Sequence, residues 1–398
     1  ALVGIGGSDQ LRGVAVPLLR SANSCHALRI ALDVCTGVNA LTGEAHEHCF
    51  RAHHTIAMAA LKPGHCKGDG RDASGVMHCA DIGLSSDITN NLTSTFLVEF
   101  EDVARGFVTR KMHSSKFDYG RICIIAGSRD MPGAAALCAN AAIRCGAGVV
   151  EVCSTSFHSA LLPEVLQTHV DATLGGGIAA TAVERIRMAC HRADCIVIGC
   201  GLGSDEETLK LVRIIVSEFG HDKPLIVDAD ALRCVSLCRS SLQHCILTPH
   251  EGEYKRLVDQ VFDTTEARES MYSQPAALAQ ELGCVVVYKS MPVQCTDGRK
   301  VLWNIGGNPG MSTAGAGDVL AGVIAAMVVR RTPSTHLQQA IAGVYVHADA
   351  GERAAKKFSR EGVTASRISD NLHEVLLEIE QHVEGSVSGV WDDGARRT

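Results

Sequence analysis

The sequence shows no secretory signal, no basic stripe and no apolar run long enough to cross a bilayer. Its longest apolar helix candidate, residues 319–329, is shorter than the about 20 residues that a membrane-spanning helix needs. The net charge of -7 and the missing basic stripe exclude non-specific binding of nucleic acids. We therefore expect a cytoplasmic protein that acts on small molecules and binds neither nucleic acid nor a membrane.

Cysteine pairs with the spacing of a zinc site are also missing, although the chain has 17 cysteines. No two of them stand in a CxxC spacing, so a metal cluster is not expected. We predict reduced, mostly buried cysteines that act as small apolar residues. With 398 residues, of which 46% are hydrophobic, the chain is long enough for two globular domains with sizeable cores.

Short apolar runs and glycine-rich turns predict a first domain at residues 1–90. We expect strands at 28–33, 54–61 and 76–84. The chain enters directly into a strand end and a glycine turn, so we expect this domain to lack its N-terminal part. A polar segment at 85–91 predicts the boundary, and the second domain spans 91–383. It ends in a helix at 368–383, and the tail 384–398 is expected to be disordered.

From residue 116 the sequence repeats a pattern of apolar strand, glycine turn and helix. Continuous apolar strands separated by helical stretches predict an α/β fold with a mostly parallel sheet that is covered on both faces. Strand after strand ends in Gly, Asp, His or Lys. Because the carboxyl ends of such strands meet at one edge of the sheet, we expect the functional site there.

Residues 308–320 combine a run of Gly, Ala, Ser and Thr with an acid and a buried helix. The run places the backbone N–H groups of Gly315, Ala316 and Gly317 at a helix N-terminus, which favours a bound anion. Asp318 follows directly. A carboxylate among such amides can take a proton from a hydroxyl beside a phosphate. The alternative is a glycine-rich turn before a core helix, with Asp318 as a helix cap.

Together these motifs make the chain resemble a known family. Residues 116–383 are similar to the ADP/ATP-dependent NAD(P)H-hydrate dehydratases of the ribokinase-like superfamily. Residues 1–84 resemble the C-terminal half of an NAD(P)H-hydrate epimerase domain. The matching stretches of the second domain are 116–120, 127–128, 131–135, 199–203, 248–253, 289–290, 307–311 and 315–318, and those of the first are 4–6, 11–13, 31–37, 60–64 and 80–83.

The resemblance implies a bifunctional enzyme that repairs nicotinamide nucleotides. A ribokinase-like three-layer α/β/α domain would follow part of a Rossmann-like epimerase domain. The second domain would be a lyase that uses ADP or ATP, with Mg²⁺, to phosphorylate the hydroxyl of the S form of hydrated NAD(P)H. Phosphate is then lost, so that NAD(P)H is restored and AMP or ADP is released. We also expect a homo-oligomer.

The resemblance also assigns residues of the dehydratase site. It makes Asp318 the base on the substrate hydroxyl, with the backbone of 315–317 holding the transferring phosphoryl group. The contacts to the hydrate come from Ala134, Gly203, His250 and Asp318; the alternative for His250 is a cap of the following helix. The nucleotide borders Lys289, Ser290, Met291, Pro292, Val293 and Gly317. The chain departs from the family pattern at Cys200, where Pro is usual, and at 289–293, which lack the usual Thr.

In the first domain the resemblance implies an isomerase that interconverts the R and S hydrates. Its substrate contacts would be Gly4, Ile5, Gly6, Gly7, Ser8, Asp9, Gln10 and Asp33, and Thr36 would offer an oxygen to K⁺. We expect this activity to be absent, because the family's upstream substrate-binding turn and Asp are missing from the pattern. From the residues alone, Asp33 and Thr36 also fit a turn and a helix cap.

An alternative function would use the same residue, Asp318. A ribokinase-like kinase of the hydroxymethylpyrimidine or thiazole type would also take a hydroxyl proton with Asp318, but it would release a phosphorylated product. The run at 248–253 and the fused first domain favour the lyase.

Overall fold

The computed structural model describes residues 11, 13–85, 88 and 93–392, and it divides the chain into two compact units. The first unit spans Ala1–Ser94 and the second spans Thr95–Thr398. The second unit begins at Thr95–Leu97 because this segment pairs with the sheet of that unit.

A three-stranded parallel sheet forms the centre of the first unit. Its strands are β1 (Ile30–Leu32), β2 (His54–Met58) and β3 (Val76–Ala80), in that order across the sheet. Helices α1 (Ala15–Ser24) and α2 (Gly68–Ser74) belong to the same unit. Strands β1 and β2 are shorter than predicted. Asp33 and Ala59, just after them, have φ of 67° and 64°, and this left-handed backbone ends an extended strand.

One ten-stranded sheet runs through the second unit. In chain order its strands are β4 (Thr95–Leu97), β5 (Arg121–Ile125), β6 (Val149–Ser154), β7 (Leu166–His169), β8 (Cys195–Ile198), β9 (Leu225–Val227), β10 (Cys245–Leu247), β11 (Val285–Tyr288), β12 (Val293–Thr296) and β13 (Val301–Asn304). They lie in the order β4-β13-β12-β11-β10-β9-β8-β5-β6-β7. All neighbours are parallel except the two pairs that contain β12.

Helices lie between and after the strands of this sheet in the sequence of the second unit. They are α3 (Phe100–Ala104), α4 (Pro132–Arg144), α5 (Val183–Arg192), α6 (Glu206–Phe219), α7 (Glu251–Val261), α8 (Thr265–Met271), α9 (Pro275–Leu282), α10 (Ala316–Val328), α11 (His336–Phe358) and α12 (Ala365–Asp392).

Both faces of the sheet are buried. Successive residues of β5 alternate between two apolar cores, with Cys123 and Ile125 in one and Ile122 and Ile124 in the other. Helices α5 and α6 contribute to the first core, and α4, α10 and α11 contribute to the second. Because side chains alternate along a strand, this division places a helical layer on each face. The predicted α/β fold with a mostly parallel sheet is confirmed.

Strand β12 runs antiparallel to both of its neighbours, which agrees with a sheet predicted to be mostly parallel. The structure corrects the predicted end of the last helix. The final helix does not end at residue 383 but continues to Asp392, so the first part of the segment expected to be disordered is helical. Residues 393–398 lie outside the described part of the chain.

The cysteines are free thiols, and all except Cys25 and Cys79 are buried, as predicted. Within the described ranges, no helix combines the length and the apolar character that crossing a membrane would require.

Candidate active site

Neighbouring strands of the large sheet bring their polar carboxyl ends together. Asp228 follows β9, Thr248 follows β10 and Lys289 follows β11. The backbone connects these ends: the N–H of Thr248 donates to the carbonyl of Val227 at 3.1 Å, and that of Lys289 donates to the carbonyl of Pro249 at 2.9 Å. The convergence that the sequence predicted is therefore present at this edge.

An ion pair between the partly exposed Lys289 and the buried Asp228 occupies the centre of this edge. Nζ of Lys289 lies 2.9 Å from Oδ1 of Asp228 and 3.9 Å from Oε2 of Glu253. Thr248 donates its hydroxyl to the same Asp228 oxygen at 2.7 Å. Burial alone would lower the pKa of Lys289, but the Asp228 and Glu253 carboxylates outweigh it and raise this pKa above its usual value. The site therefore keeps a charged ammonium.

Helix α10 begins beside this ion pair and carries Asp318 in its first turn. The residue before the helix, Gly315, has φ of 86°, which glycine adopts without strain. A Cβ added at Gly317 would lie 3.3 Å from Nζ of Lys289, so the absence of a side chain lets the helix start lie against the ammonium. Carboxylate oxygens of Asp318 and Asp228 lie within 4.8 Å of one another.

The surroundings of Asp318 make it a stronger base than an ordinary aspartate. Burial, and then the negative charge of Asp228, raise its pKa to about 6, although Cys200 and Lys289 oppose the rise. Such a carboxylate is ionised at neutral pH and accepts a proton more readily than one with the usual pKa. The Cys200 thiol lies 3.7 Å from Asp228, and contact with Cys138 together with burial raises its pKa well above the usual range. It therefore stays a neutral donor.

Two residues expected to contact the hydrate lie around this edge. Ala134 packs on the turn after β8. A Cβ added at Gly201 of this turn would lie 2.7 Å from the Cβ of Ala134. Gly203 donates its N–H to Oδ2 of Asp230 at 2.9 Å, and Asp230 contributes to the raised pKa of Asp318. A Cβ added at Gly203 would meet nothing within 4 Å, so there is open space beside it.

The third such residue, His250, caps helix α7. Its Nδ1 accepts the N–H groups of Gly252 at 3.0 Å and Glu253 at 3.4 Å, and its own N–H donates to Oε2 of Glu253 at 2.9 Å. The ring is exposed, and its backbone forms an isolated bridge with Lys289. Nδ1 of the ring therefore caps the helix, and Nε2 lies 3.3 Å from Oε1 of Glu253.

The segment expected to border the nucleotide joins β11 to β12. Ser290 uses its hydroxyl within this turn, where it donates to the carbonyl of Pro292 at 2.7 Å. Met291 is exposed, and Val293 already belongs to β12. Lys289 differs from the rest of the segment because it points into the ion pair. The segment thus offers backbone and apolar surface, with its single charge at the inner end.

Sequence reasoning named neither Asp228 nor Glu253 as a site residue, although both follow predicted strands, and that position was the available signal. His347, on helix α11, also lies next to the site. This ring is buried beside the backbone of Ala316 and the charge of Lys289, and burial lowers its pKa to about 4, so it is neutral. Among the described residues, no group forms a hydrogen bond with its Nε2.

The first unit has a smaller polar group at the end of β1. Asp33 accepts the N–H of Met58 at 3.1 Å and forms an ion pair with Lys62. Burial would raise the pKa of Asp33, but these two hydrogen bonds hold it below the usual value. Thr36 lies buried in the following turn. The other expected contacts, Gly4, Ile5, Gly6, Gly7, Ser8, Asp9 and Gln10, lie outside the described residues.

Comparison with family models identifies both parts of the chain. A model described as NAD(P)H-hydrate dehydratase matches residues 122–374, and a model described as YjeF-related protein N-terminus matches residues 1–64. The first match spans more than half of the chain and includes every residue of the edge described above.

Relatives and solved structures agree with these models. A bifunctional NAD(P)H-hydrate repair enzyme of Thermofilum pendens is 32% identical over 96% of this chain and 73% of its own length, and that of Escherichia coli is 30% identical over 94% and 70%. A ribokinase-like superfamily protein from Enterococcus faecalis covers 72% of this chain and 97% of its own, with 25% identity and a TM-score of 0.62. The ADP/ATP-dependent NAD(P)H-hydrate dehydratase of Bacillus subtilis, co-crystallised with ATP/Mg²⁺, covers 71% and 97%, with 25% identity and a TM-score of 0.54.

Proposed function

Since the chain belongs to the NAD(P)H-hydrate dehydratase family, we propose that its second unit converts the S form of hydrated NAD(P)H to NAD(P)H at the expense of ADP or ATP. The observation that carries this proposal is Asp318, a carboxylate with a pKa of about 6 in the first turn of α10. It stands next to backbone N–H groups that have no partner within the helix, of which that of Ala316 donates to the carbonyl of Thr313 at 3.3 Å. Base and anion site therefore lie side by side.

In the proposed reaction Asp318 takes the proton of the substrate hydroxyl, and the oxygen attacks the terminal phosphoryl group of the nucleotide. The bond from that phosphorus to the leaving AMP or ADP breaks. The N–H groups of Gly315, Ala316 and Gly317 stabilise the charge on the moving phosphoryl group. The C–O bond to the phosphate then breaks and the neighbouring ring carbon gives a proton to the solvent, so that a double bond forms and the reduced ring is restored. Ala134, Gly203 and His250 border the hydrate.

The nucleotide contacts are proposed along the β11–β12 turn. Lys289 supplies positive charge at its inner end, while Ser290, Met291, Pro292 and Val293 supply backbone and apolar surface. Because Lys289 is held by Asp228, it acts as a fixed charge beside the phosphates and needs no rearrangement when they bind.

The oxygen atoms of this edge fit Mg²⁺. Asp228 and Asp318 offer carboxylates of the kind that Mg²⁺ prefers, whereas the neutral thiol of Cys200 is a poor ligand for it. Lys289 already balances Asp228, so the ion fits best when it arrives with the nucleotide, because Mg²⁺ commonly combines one or two carboxylates with phosphates. When bound, Mg²⁺ would neutralise charge on the phosphates.

The sequence pattern predicts that the epimerase activity is absent, but the match of residues 1–64 to the model of the YjeF-related N-terminus favours it. For the first unit we therefore propose interconversion of the R and S hydrates, with Asp33 at the substrate and the Thr36 oxygen as a ligand of K⁺. The support is the position of both residues directly after β1, at the carboxyl edge of a parallel sheet. The cytoplasmic location and the homo-oligomer expected from the sequence stay predictions.

The function is tested by mixing the chain with S-hydrated NADH and following reduced-nicotinamide absorbance. The absorbance should return when ADP or ATP is added and should stay absent without a nucleotide. A failure of both nucleotides to restore it would contradict the proposal.

The pH dependence of kcat should reveal the ionisation of the Asp318 carboxyl group. An acidic group must be ionised to act as a base, so its raised pKa means that kcat falls as the pH drops through about 6. Measurement of kcat from about pH 4.5 to about pH 8 checks this. A midpoint near the ordinary value of about 4 would contradict the assignment.

Replacement of His250 separates its two roles. His250→Ala removes the cap of α7 and the ring, whereas His250→Asn keeps a capping oxygen and removes only the ring. We expect both variants to raise KM for the hydrate by about tenfold, the worth of one polar contact, with KM for ADP nearly unchanged. Only the Ala variant should lose stability, by about 1 kcal/mol. A wild-type KM in His250→Asn would show that His250 acts only as a helix cap and does not contact the hydrate.

A further inference from the structure

A second cluster of positive charge lies at the other end of α10, about 20 Å along the helix from its start at the rise of 1.5 Å per residue. A cavity of about 250 Å³ is lined there by Arg110, Arg144 and Arg330, with Glu380 as the one acidic residue of its lining. Cys145 also lines it, but burial raises the pKa of this thiol to about 12, so it adds no charge. The cavity thus has an excess of positive charge.

Two of the guanidinium groups converge on one point of the backbone. A Cβ added at Gly146 would lie 3.1 Å from Nη2 of Arg110 and 3.6 Å from Nη2 of Arg330. Within the described ranges, neither arginine has a carboxylate within 4.0 Å, whereas Arg144 lies 2.9 Å from Asp370. Two like charges are therefore held together without an anionic partner, an arrangement that costs free energy unless an anion joins them.

Capping of helix α4 explains only part of this arrangement. Arg330 donates to the carbonyl of Cys145 at 3.0 Å and Arg110 to that of Gly146 at 2.7 Å, as cations at a helix C-terminus commonly do. Nε of Arg330 is buried, however, and no hydrogen-bond partner for it exists among the described residues. Burial, and then the charge of Arg110, lower the pKa of Arg330 to about 10, although Glu380 opposes the fall. The guanidinium also lies 4.1 Å over the Phe107 ring, which compensates a positive charge only in part.

We propose that this cavity binds a small dianionic phosphate group, as inorganic phosphate or as a small phosphate ester, at a site separate from that of Asp318. A phosphate presents several acceptor oxygens to guanidinium donors and compensates two positive charges at once, which water does not. The cavity is smaller than the about 300–1,000 Å³ of typical sites for drug-sized ligands, so a dinucleotide does not fit.

The test is calorimetric titration of the whole chain with inorganic phosphate and, in parallel, with glycerol phosphate. Saturating ADP is present throughout to occupy the anion site at α10. Arg110→Gln should weaken binding by about ten- to a hundredfold, as expected for one lost hydrogen bond to a charged group. Glu380→Gln should tighten it by about two- to fivefold, because a repulsive, exposed charge is removed.

Two control variants change exposed charges away from the cavity, Arg185→Gln and Glu164→Gln, and both should bind as the wild type does. Tighter binding of inorganic phosphate than of the ester would identify the free ion as the ligand, and the reverse order would identify an ester. Absence of binding at millimolar concentration would overturn the proposal, as would binding that Arg110→Gln and Glu380→Gln leave unchanged.

Discussion

Asp318→Asn should lower kcat by about a hundred- to ten-thousandfold, the range that general-base catalysis is typically worth. Asn keeps the size and hydrogen-bonding reach of the side chain, but it cannot accept the hydroxyl proton. If Asp318 were only a cap of α10, Asn would preserve that function and kcat would stay near the wild-type value. Steady-state kinetics with hydrated NADH and ADP measures the difference.

The same variant should not lose stability. The folded-state pKa of Asp318, about 6, exceeds the ordinary 3.8, so its ionisation above that range disfavours the folded chain. Asn removes this cost, and the free energy of unfolding at pH 7 should rise by up to about 3 kcal/mol. A lower melting temperature would mean that the kcat loss reflects unfolding.

Asp230→Asn provides the matched control within the site. Its oxygen can still accept the N–H of Gly203, but its negative charge no longer raises the pKa of Asp318. We expect kcat at neutral pH to be largely retained, with the acidic limb of the pH profile displaced to lower pH. An unchanged midpoint would show that the limb belongs to another group.

Lys289→Met should have the largest effect on stability. Asp228 is almost fully buried, and its carboxylate would lose the ammonium 2.9 Å away. Removal of one partner of a buried ion pair typically costs about 3–5 kcal/mol, because the remaining charge is left uncompensated. Urea denaturation compares the free energies of unfolding, and a loss below about 1 kcal/mol, the worth of an exposed pair, would contradict the buried pairing.

The double variant Asp228→Asn with Lys289→Met tests the cause. With both charges gone, the uncompensated carboxylate disappears, and the Thr248 hydroxyl can still donate to the Asn oxygen. We expect most of the lost stability to return while turnover stays low, because the fixed positive charge beside the phosphates is missing. A double variant as unstable as Lys289→Met would mean that Lys289 supports the fold through packing alone.

Much of this fold could be predicted because its signals are local. Continuous apolar strands, glycine turns and helices alternate along the second unit, and parallel strands necessarily place their carboxyl ends at one edge. The helix after Gly315 could be located from its apolar residues, and Asp318 from its position in the first turn. The antiparallel β12 could not be predicted, because nothing in a run of four residues fixes the direction of its neighbour.

Contacts between distant parts of the chain could not be predicted from the sequence either. Lys289 meets Asp228 across 61 residues, and the identity of its partner depends on the strand order rather than on spacing. The convergence of Arg110 and Arg330 at one glycine joins two segments that no motif connects.

The most direct test of the account is the stoichiometry of a single reaction with S-hydrated NADH and ADP. NADH, inorganic phosphate and AMP are quantified together as the reaction proceeds. We expect one phosphate and one AMP to appear for each NADH restored, and the release of all three to slow together in Asp318→Asn. Accumulation of a phosphorylated nucleotide without free phosphate or NADH would instead identify a kinase and contradict it.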